Sequence, residues 1–167
     1  MTLPTAHTVL HESDAKAHDL VTLTYEERFL RRKVLTTVHD QRFLVDLEHT
    51  ISVDHGSLFQ LDDGRLIEVI AAEENLLQVT GADLPRLAWH IGNRHTPCQI
   101  EDGRLLIQRD HVIMAMLSHL GANVTEVCEP FTPEGGAYGH GRTHSHDHGK
   151  TLHSHSRDQG HHHHHDH

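Results

Sequence analysis

Histidine side chains dominate the C-terminal end of this sequence. Twelve of its 22 histidines fall within the last 28 residues, where one leucine is the only large apolar side chain. A segment of this composition cannot build a packed core. Neutral imidazole suits nickel, copper and zinc, and is a poor ligand for magnesium or calcium. We therefore predict a tail that collects transition metals. Its candidate ligands are His140, His144, His146, His148, His153, His155, His161, His162, His163, His164, His165 and His167.

An appended purification tag is the alternative origin of the last seven residues. However, Asp166 interrupts the terminal run before His167, whereas a tag is usually unbroken. Further histidines alternate with Ser, Asp and Gly well upstream of this run. The pattern favours a native tail, whose metal capture should weaken as the pH falls below about 6.5 because a ligating imidazole must be neutral.

The net charge of the chain lies outside the tail. Three aspartates and three basic residues cancel within the tail, so the formal net charge of −10 belongs to residues 1–139. Such acidity argues against binding to nucleic acid, which requires clustered Lys and Arg. One basic cluster, formed by Arg28, Arg31, Arg32 and Lys33, is interpreted as a solvated strand end.

Localisation and cysteine usage narrow the class of protein further. No apolar run approaches the roughly 20 residues that span a bilayer, and no secretion signal is recognisable, so we expect a soluble, cytoplasmic protein without membrane partners. Cys98 and Cys128 are the only cysteines and form no CxxC motif. They are interpreted as strand residues rather than as metal ligands.

Two small domains are predicted ahead of the tail, in an α+β fold. Residues 1–73 show short β-like runs broken by turns, and Asp62-Asp63-Gly64 is a hairpin signal. Residues 74–134 are expected to form a ferredoxin-like βαββαβ domain. Residues 135–167 form the predicted disordered His-rich tail. The predicted strands are residues 20–25, 33–37, 43–47, 57–61, 66–70, 75–79, 98–100, 105–108 and 124–127.

The two predicted helices determine where the histidines of the body lie. Asp83 caps the first helix, which runs to Gly92, so that His90 lies on or beside its buried face and His95 in the loop beyond it. Asp110 caps the second helix and puts His111 in its first turn, where the helix dipole disfavours protonation. From spacing alone, each histidine could instead be a hydrogen-bonded structural residue. The second helix is expected to bury Val112, Ile113, Met116, Leu117 and Leu120, and to end at Gly121.

Several motifs, in this order, resemble the UreE family of urease accessory metallochaperones, and the resemblance covers nearly the whole chain. They are Thr24-Tyr-Glu-Glu-Arg28 through Arg32-Lys-Val-Leu-Thr36, Asp63-Gly-Arg-Leu66, Trp89-His-Ile-Gly-Asn-Arg-His95, Gln99-Ile-Glu101, Arg109-Asp-His111-Val112 and Pro133-Glu-Gly-Gly-Ala-Tyr138.

The resemblance implies a homodimeric, non-enzymatic chaperone that delivers Ni(II) for assembly of the urease metallocentre. It implies an N-terminal domain similar to a peptide-binding module, and nickel bound at the dimer interface by His95 of both protomers, with tail histidines completing the site. The implied partners are the GTPase urease accessory protein and the urease apoprotein. Some family members carry His-x-His where this chain has Arg109-Asp110-His111, so His111 is the weaker candidate.

Other classes of protein remain open alternatives. A buffer or storage protein for nickel and other transition metals would act through the tail alone, whereas a chaperone would depend more on His95. A nucleotide-driven insertion enzyme would need GxxxxGK[ST], which the sequence lacks. Metal-dependent hydrolysis would need HExxH or a compact His/carboxylate triad, and neither appears. Imidazole sites also bind Cu(II) and Zn(II), so both are expected to bind in vitro.

Overall fold

The computed structural model describes residues 2–11 and 13–135, so the predicted tail ligands lie outside the described residues. The described chain contains strands and two helices, which confirms the α+β class. Neither helix is long and apolar enough to cross a membrane. The strands are β1 (Thr5–Leu10), β2 (Asp19–Leu23), β3 (Phe29–Thr36), β4 (Arg42–Ser52), β5 (Leu58–Leu61), β6 (Leu66–Ala71), β7 (Glu73–Thr80), β8 (Gln99–Ile100), β9 (Leu105–Gln108) and β10 (Asn123–Pro130), and the helices are α1 (Leu84–Asn93) and α2 (His111–His119).

The first six strands form one sheet in the order β2-β6-β5-β1-β4-β3. The hairpin predicted at Gly64 joins the antiparallel strands β5 and β6. Strand β1 was missed, although it lies inside the sheet, parallel to β4 and antiparallel to β5. A register shift between Ala6 and Thr8 breaks its alternation of apolar and polar residues, which is the signal that identifies a strand. β4 also extends beyond its predicted end at Leu47.

A buried carboxylate connects the two edges of this sheet. Asp19, at the start of the edge strand β2, is 6% exposed and accepts hydrogen bonds of 2.7 Å from the Leu20 amide and from His39 Nδ1. His39 belongs to the turn between β3 and β4, where the Val38 amide donates to the Leu20 carbonyl. Burial by itself would raise the pKa of Asp19, but hydrogen bonds from Thr37, His39 and the Leu20 amide outweigh it and lower the pKa to about 2.

We predict that Asp19→Asn destabilises the protein at pH 7 by about 1–3 kcal/mol, because a charged buried acceptor is lost. The folded-state pKa lies below the usual 3.8, so the stabilisation is complete above about pH 4 and is lost as the pH falls towards 2. Urea denaturation at a series of pH values measures both effects. Asp63→Asn, which removes an exposed pairing with Arg65, is the control and should change stability less. A difference between wild type and Asp19→Asn that persists undiminished at pH 2 would contradict the assignment.

The second domain has the expected order of elements, β7-α1-β8-β9-α2-β10, in an antiparallel sheet ordered β10-β7-β9-β8. Both helices lie on one face of this sheet. Ile91 of α1 and Leu117 of α2 are fully buried against it. Only part of the predicted stripe of α2 is buried, because Val112 and Leu120 are 51% and 37% exposed. The buried side chains of this nine-residue helix are Ile113 and Leu117, which lie four positions apart and therefore on one face.

Residues far apart in the sequence cover the opposite face of this sheet. Phe131, which follows β10, is fully buried against Leu76 and Leu106, and Tyr25 of the first domain packs on the same cluster. Arg28 lies beside them and is 3% exposed, so its interpretation as part of a solvated strand end was wrong. Its neighbours in the basic cluster are exposed, as expected. Arg28 is buried because it is paired with residue 131, a contact between distant positions that local sequence does not reveal.

Candidate metal-binding site

His95 lies immediately beyond α1 in a left-handed backbone conformation, with φ of +59°. Its amide donates to the Gly92 carbonyl at 2.9 Å, and the Thr96 amide donates to the Ile91 carbonyl at 3.4 Å. These two bonds are those of a Schellman helix end, in which the left-handed position is usually glycine because a Cβ is disfavoured there. A histidine held in this conformation, with its side chain exposed, is a strained residue of the kind that clusters at functional sites.

The helix end gives His95 a rigid base. Ile91, one turn earlier, is fully buried, and Leu87 is 5% exposed, so the C-terminal turn of α1 is anchored in the core. The imidazole therefore projects into solvent from a fixed backbone. Such an arrangement suits a ligand that has to meet further ligands from outside its own domain.

The chain that leaves β10 returns to the loop containing His95. We call residues 131–135 the strap. The Thr132 amide donates to Gln99 Oε1 at 2.8 Å, and the Glu134 amide donates to the Cys98 carbonyl at 2.9 Å. Cys98 lies three residues after His95, a span of at most about 10 Å. The predicted tail therefore begins beside the loop that carries His95.

A polar network orients Gln99, the residue of β8 that bonds to the strap. Gln99 Nε2 donates to Glu101 Oε2 at 2.7 Å, which leaves Oε1 to accept from the strap. Arg104 pairs with Glu101 at 2.9 Å and with Glu129 at 2.6 Å. Hydrogen bonds from this guanidinium lower the pKa of both carboxyl groups. The network ties the β8–β9 hairpin to the end of β10, from which the strap departs.

The thiol of Cys98 is a poor metal ligand despite its position. Burial, helped by the negative charge of Glu134, raises the pKa of Cys98 to about 11. Since the thiolate is the ligating form, this cysteine stays protonated at neutral pH. The residue lies just before β8, which begins at Gln99 rather than at Cys98 as predicted. Cys128 is exposed and lies within β10, as the sequence indicated.

The remaining histidines of the second domain do not complete a site. His111 is the first residue of α2, in the first turn as expected, and its side chain is exposed. His90 is half-buried, and its ring meets that of Trp89 edge-on at 5.1 Å. Within residues 2–11 and 13–135, no group of three His, Cys, Asp or Glu side chains is arranged to hold a metal ion. Neither His95 nor His111 is brought into such a group by the described part of the chain.

Three histidines of the first domain use a ring nitrogen for structural hydrogen bonds. His39 Nδ1 bonds to Asp19, His55 Nδ1 accepts from the Ala71 amide at 3.0 Å, and His7 Nδ1 lies 2.9 Å from the Asp46 carbonyl oxygen. Because each of these bonds connects strands or turns of the first sheet, the three residues act within the fold of their own domain.

We predict that His95→Gly is more stable than His95→Ala by about 1 kcal/mol, because only glycine relieves the left-handed strain. Urea denaturation measures the difference. The matched control is His90, which lies within α1, where the order should reverse and His90→Ala should be the more stable variant. Equal stabilities for the two His95 variants would contradict the strained helix end.

Two family models match the chain. UreE urease accessory protein, N-terminal domain, matches residues 3–72, and the C-terminal domain of the same description matches residues 74–167. A urease accessory protein UreE from Ruegeria pomeroyi is 73% identical over 130 residues, which cover 78% of this chain and 87% of that protein. The namesake from another Ruegeria species is 65% identical over 134 residues, covering 80% and 76%, and that from Cereibacter sphaeroides is 57% identical over 143 residues, covering 84% and 78%.

Proposed function

This chain belongs to the UreE family of urease accessory proteins, and on that premise we propose that it is a metallochaperone that delivers Ni(II) for assembly of the urease metallocentre. Membership of the family implies a role in urease maturation. Nickel as the cargo, and delivery as the activity, are the specific content of the proposal.

The position of His95 is the observation that carries the proposal. Its exposed imidazole stands on a strained but firmly anchored helix end, and the described residues contain no group of three side chains that could hold a metal ion. One imidazole holds an ion weakly, but a two-fold axis through this surface would bring a second His95 from another copy of the chain. We therefore assign nickel to a homodimer interface, with His111 as a secondary candidate ligand.

The tail is assigned the role of collector. The tail continues from the strap, which is bonded to the loop that follows His95. His140 follows Glu134 by six residues, a span of at most about 20 Å. Ions captured by tail imidazoles could therefore pass to the interface by exchange of ligands. Cu(II) and Zn(II) would compete in vitro, because imidazole sites do not by themselves prefer nickel.

The proposed partners are a second copy of the chain, the GTPase urease accessory protein and the urease apoprotein. Trp89, six residues before His95, supports association near this loop. It is the only tryptophan of the chain and is 63% exposed, and aromatic side chains of this type are enriched in protein interfaces.

The metal site is tested by Ni(II) titration calorimetry on full-length variants. A variant with all twelve tail histidines replaced by asparagine should keep one tight ion per two chains, because the interface site remains. Adding His95→Gly, which removes the imidazole and also the backbone strain, should abolish that ion, while His49→Ala in an exposed part of β4 should not. Tight binding that survives His95→Gly would exclude the interface site.

Delivery is distinguished from storage by activation of urease apoprotein with limiting Ni(II). A chaperone should lose most of its stimulation with His95→Gly and keep a substantial part when the tail histidines are replaced. A nickel or transition-metal buffer that acts through the tail should show the opposite order. Stimulation that depends on the tail and ignores His95 would replace delivery by storage as the function.

A further inference from the structure

The outer edge of β3 is open to solvent. This strand lies at one end of the six-stranded sheet, and among the described strands it pairs only with β4. Its central residues, 31–34, are all exposed. Because successive side chains of a strand point to opposite faces, four consecutive exposed residues mean that both faces of β3 reach solvent. An edge strand of this kind presents main-chain groups with which another strand can pair.

The hydrogen bonds of the β3–β4 hairpin identify the main-chain groups that point outward. The Thr37 amide donates to the Gln41 carbonyl at 2.9 Å, so these two residues form a bonded pair. Bonded and non-bonded pairs alternate along an antiparallel ladder, which makes Val34 and its partner Leu44 a non-bonded pair. In agreement, the Leu44 amide donates to the Pro4 carbonyl, on the opposite side of β4. The outward-pointing main-chain groups of β3 are therefore those of Arg32, Val34 and Thr36.

The exposed side chains of β3 are basic, although the chain has a formal net charge of −10. Arg31, Arg32 and Lys33 are consecutive, and the strand contains no acidic residue. Arg32 pairs with Asp46 at 2.8 Å, and Arg31 Nη1 donates to the Leu47 carbonyl at 3.1 Å. None of the ion pairs found in the described part of the chain involves Lys33. The open edge thus carries positive charge that neighbouring carboxylates only partly neutralise.

Apolar side chains accompany these charges. Val34 is 41% exposed, and Val38, in the turn that follows β3, is 53% exposed. Val34 shares a face of the strand with Arg32 and lies opposite the half-buried Leu44. A strand added at this edge would remove part of this apolar surface from water, which favours binding. The edge therefore suits a partner that combines acidic with apolar side chains.

The charges disfavour a second copy of the chain as the strand that binds here. Two β3 strands paired with each other would bring arginine and lysine side chains opposite one another, and like charges in that position are destabilising. Aspartate or glutamate at the same positions would form favourable cross-strand pairs. Because the protein as a whole is acidic, its remaining surface repels an acidic segment, which directs such a segment to this edge.

We propose that the outer edge of β3 binds an extended acidic segment of a partner protein by strand addition. The outward main-chain groups supply the hydrogen bonds, Arg32 and Lys33 pair with carboxylates on the two faces of the added strand, and Val34 contacts one of its apolar side chains. The inference goes beyond the proposed function and does not depend on nickel binding.

The first test adds a synthetic peptide to the full-length protein and follows amide hydrogen exchange by NMR. The peptide is ten residues long, with four central glutamates flanked by valine and threonine. At saturation, the amides of Val34 and Thr36 should exchange at least about ten-fold more slowly, because they become hydrogen-bonded. The amides of Lys33 and Leu35, which point towards β4, are the internal controls and should change by less than about two-fold. Equal changes in both sets would overturn the proposal.

The same measurement distinguishes the other possible occupant of the edge. If a second copy of the chain pairs with β3, the amides of Val34 and Thr36 should already be protected without peptide, and their protection should increase with protein concentration. That result would also overturn the proposal.

A second peptide separates strand addition from simple attraction between charges. It has the same sequence but is N-methylated at alternate residues, which keeps the carboxylates and removes the main-chain donors. Its affinity, measured by fluorescence anisotropy, should be at least about ten-fold lower. Equal affinity of the two peptides would exclude strand addition. A third peptide, with lysine in place of glutamate, should not bind, and binding equal to that of the acidic peptide would contradict the stated chemistry of the partner.

Charge variants of the full-length protein locate the site. Lys33→Glu replaces an attractive cross-strand pair by a repulsive one and should weaken binding of the acidic peptide about ten-fold. Lys33→Gln only removes the charge; it keeps the test decisive if the reversal disturbs folding, and should weaken binding about three-fold. Lys16→Glu, at an exposed position between β1 and β2, makes the same change in net charge and is the matched control, with affinity within about two-fold of wild type. Unchanged affinity in both Lys33 variants, or an equal loss in Lys33→Glu and Lys16→Glu, would show that β3 is not the binding site.

Discussion

The buried guanidinium of Arg28 joins the first domain to the chain that follows the second sheet. It bonds the carbonyl of Leu23 at the end of β2 and the carbonyl of Phe131 just beyond β10, so it connects the first domain to the segment that follows the second. Around it, Tyr25 and Phe131 complete a small apolar cluster with Leu76 and Leu106. That cluster covers the face of the second sheet that the helices leave open, and the polar network of Arg104 continues from it towards β8.

The candidate site depends on this arrangement and on one locally strained residue. The end of α1 would be more stable with glycine, yet it carries a histidine whose side chain is exposed. Among the described residues, no group of three candidate ligands forms around that imidazole, and burial raises the pKa of the nearby Cys98 thiol to about 11. What the fold provides is an exposed imidazole on an anchored helix end, with the strap bonded to the loop that follows it.

Prediction from sequence succeeded where the signals were local. The capping residues Asp83 and Asp110, the turn at Gly64 and the helix end at Gly121 are each determined by a few adjacent residues, and the structure confirms them. It failed where a pattern was interrupted or a partner was distant. The register shift concealed β1. Val112 and Leu120 match the apolar period of α2, but they are exposed because Ile113 and Leu117 are the residues that face the sheet.

The sequence by itself determined the class of fold, the family, the ends of both helices and the position of His95 beyond the first of them, because each follows from residue types within a turn or two of the chain. Only the tertiary structure decided that Arg28 is buried while Arg31, Arg32 and Lys33 are not, and that the strap returns to the loop of His95. Four basic residues so close in sequence look alike locally. What separates them is a carbonyl 103 positions away, which the path of the chain alone brings within hydrogen-bonding distance.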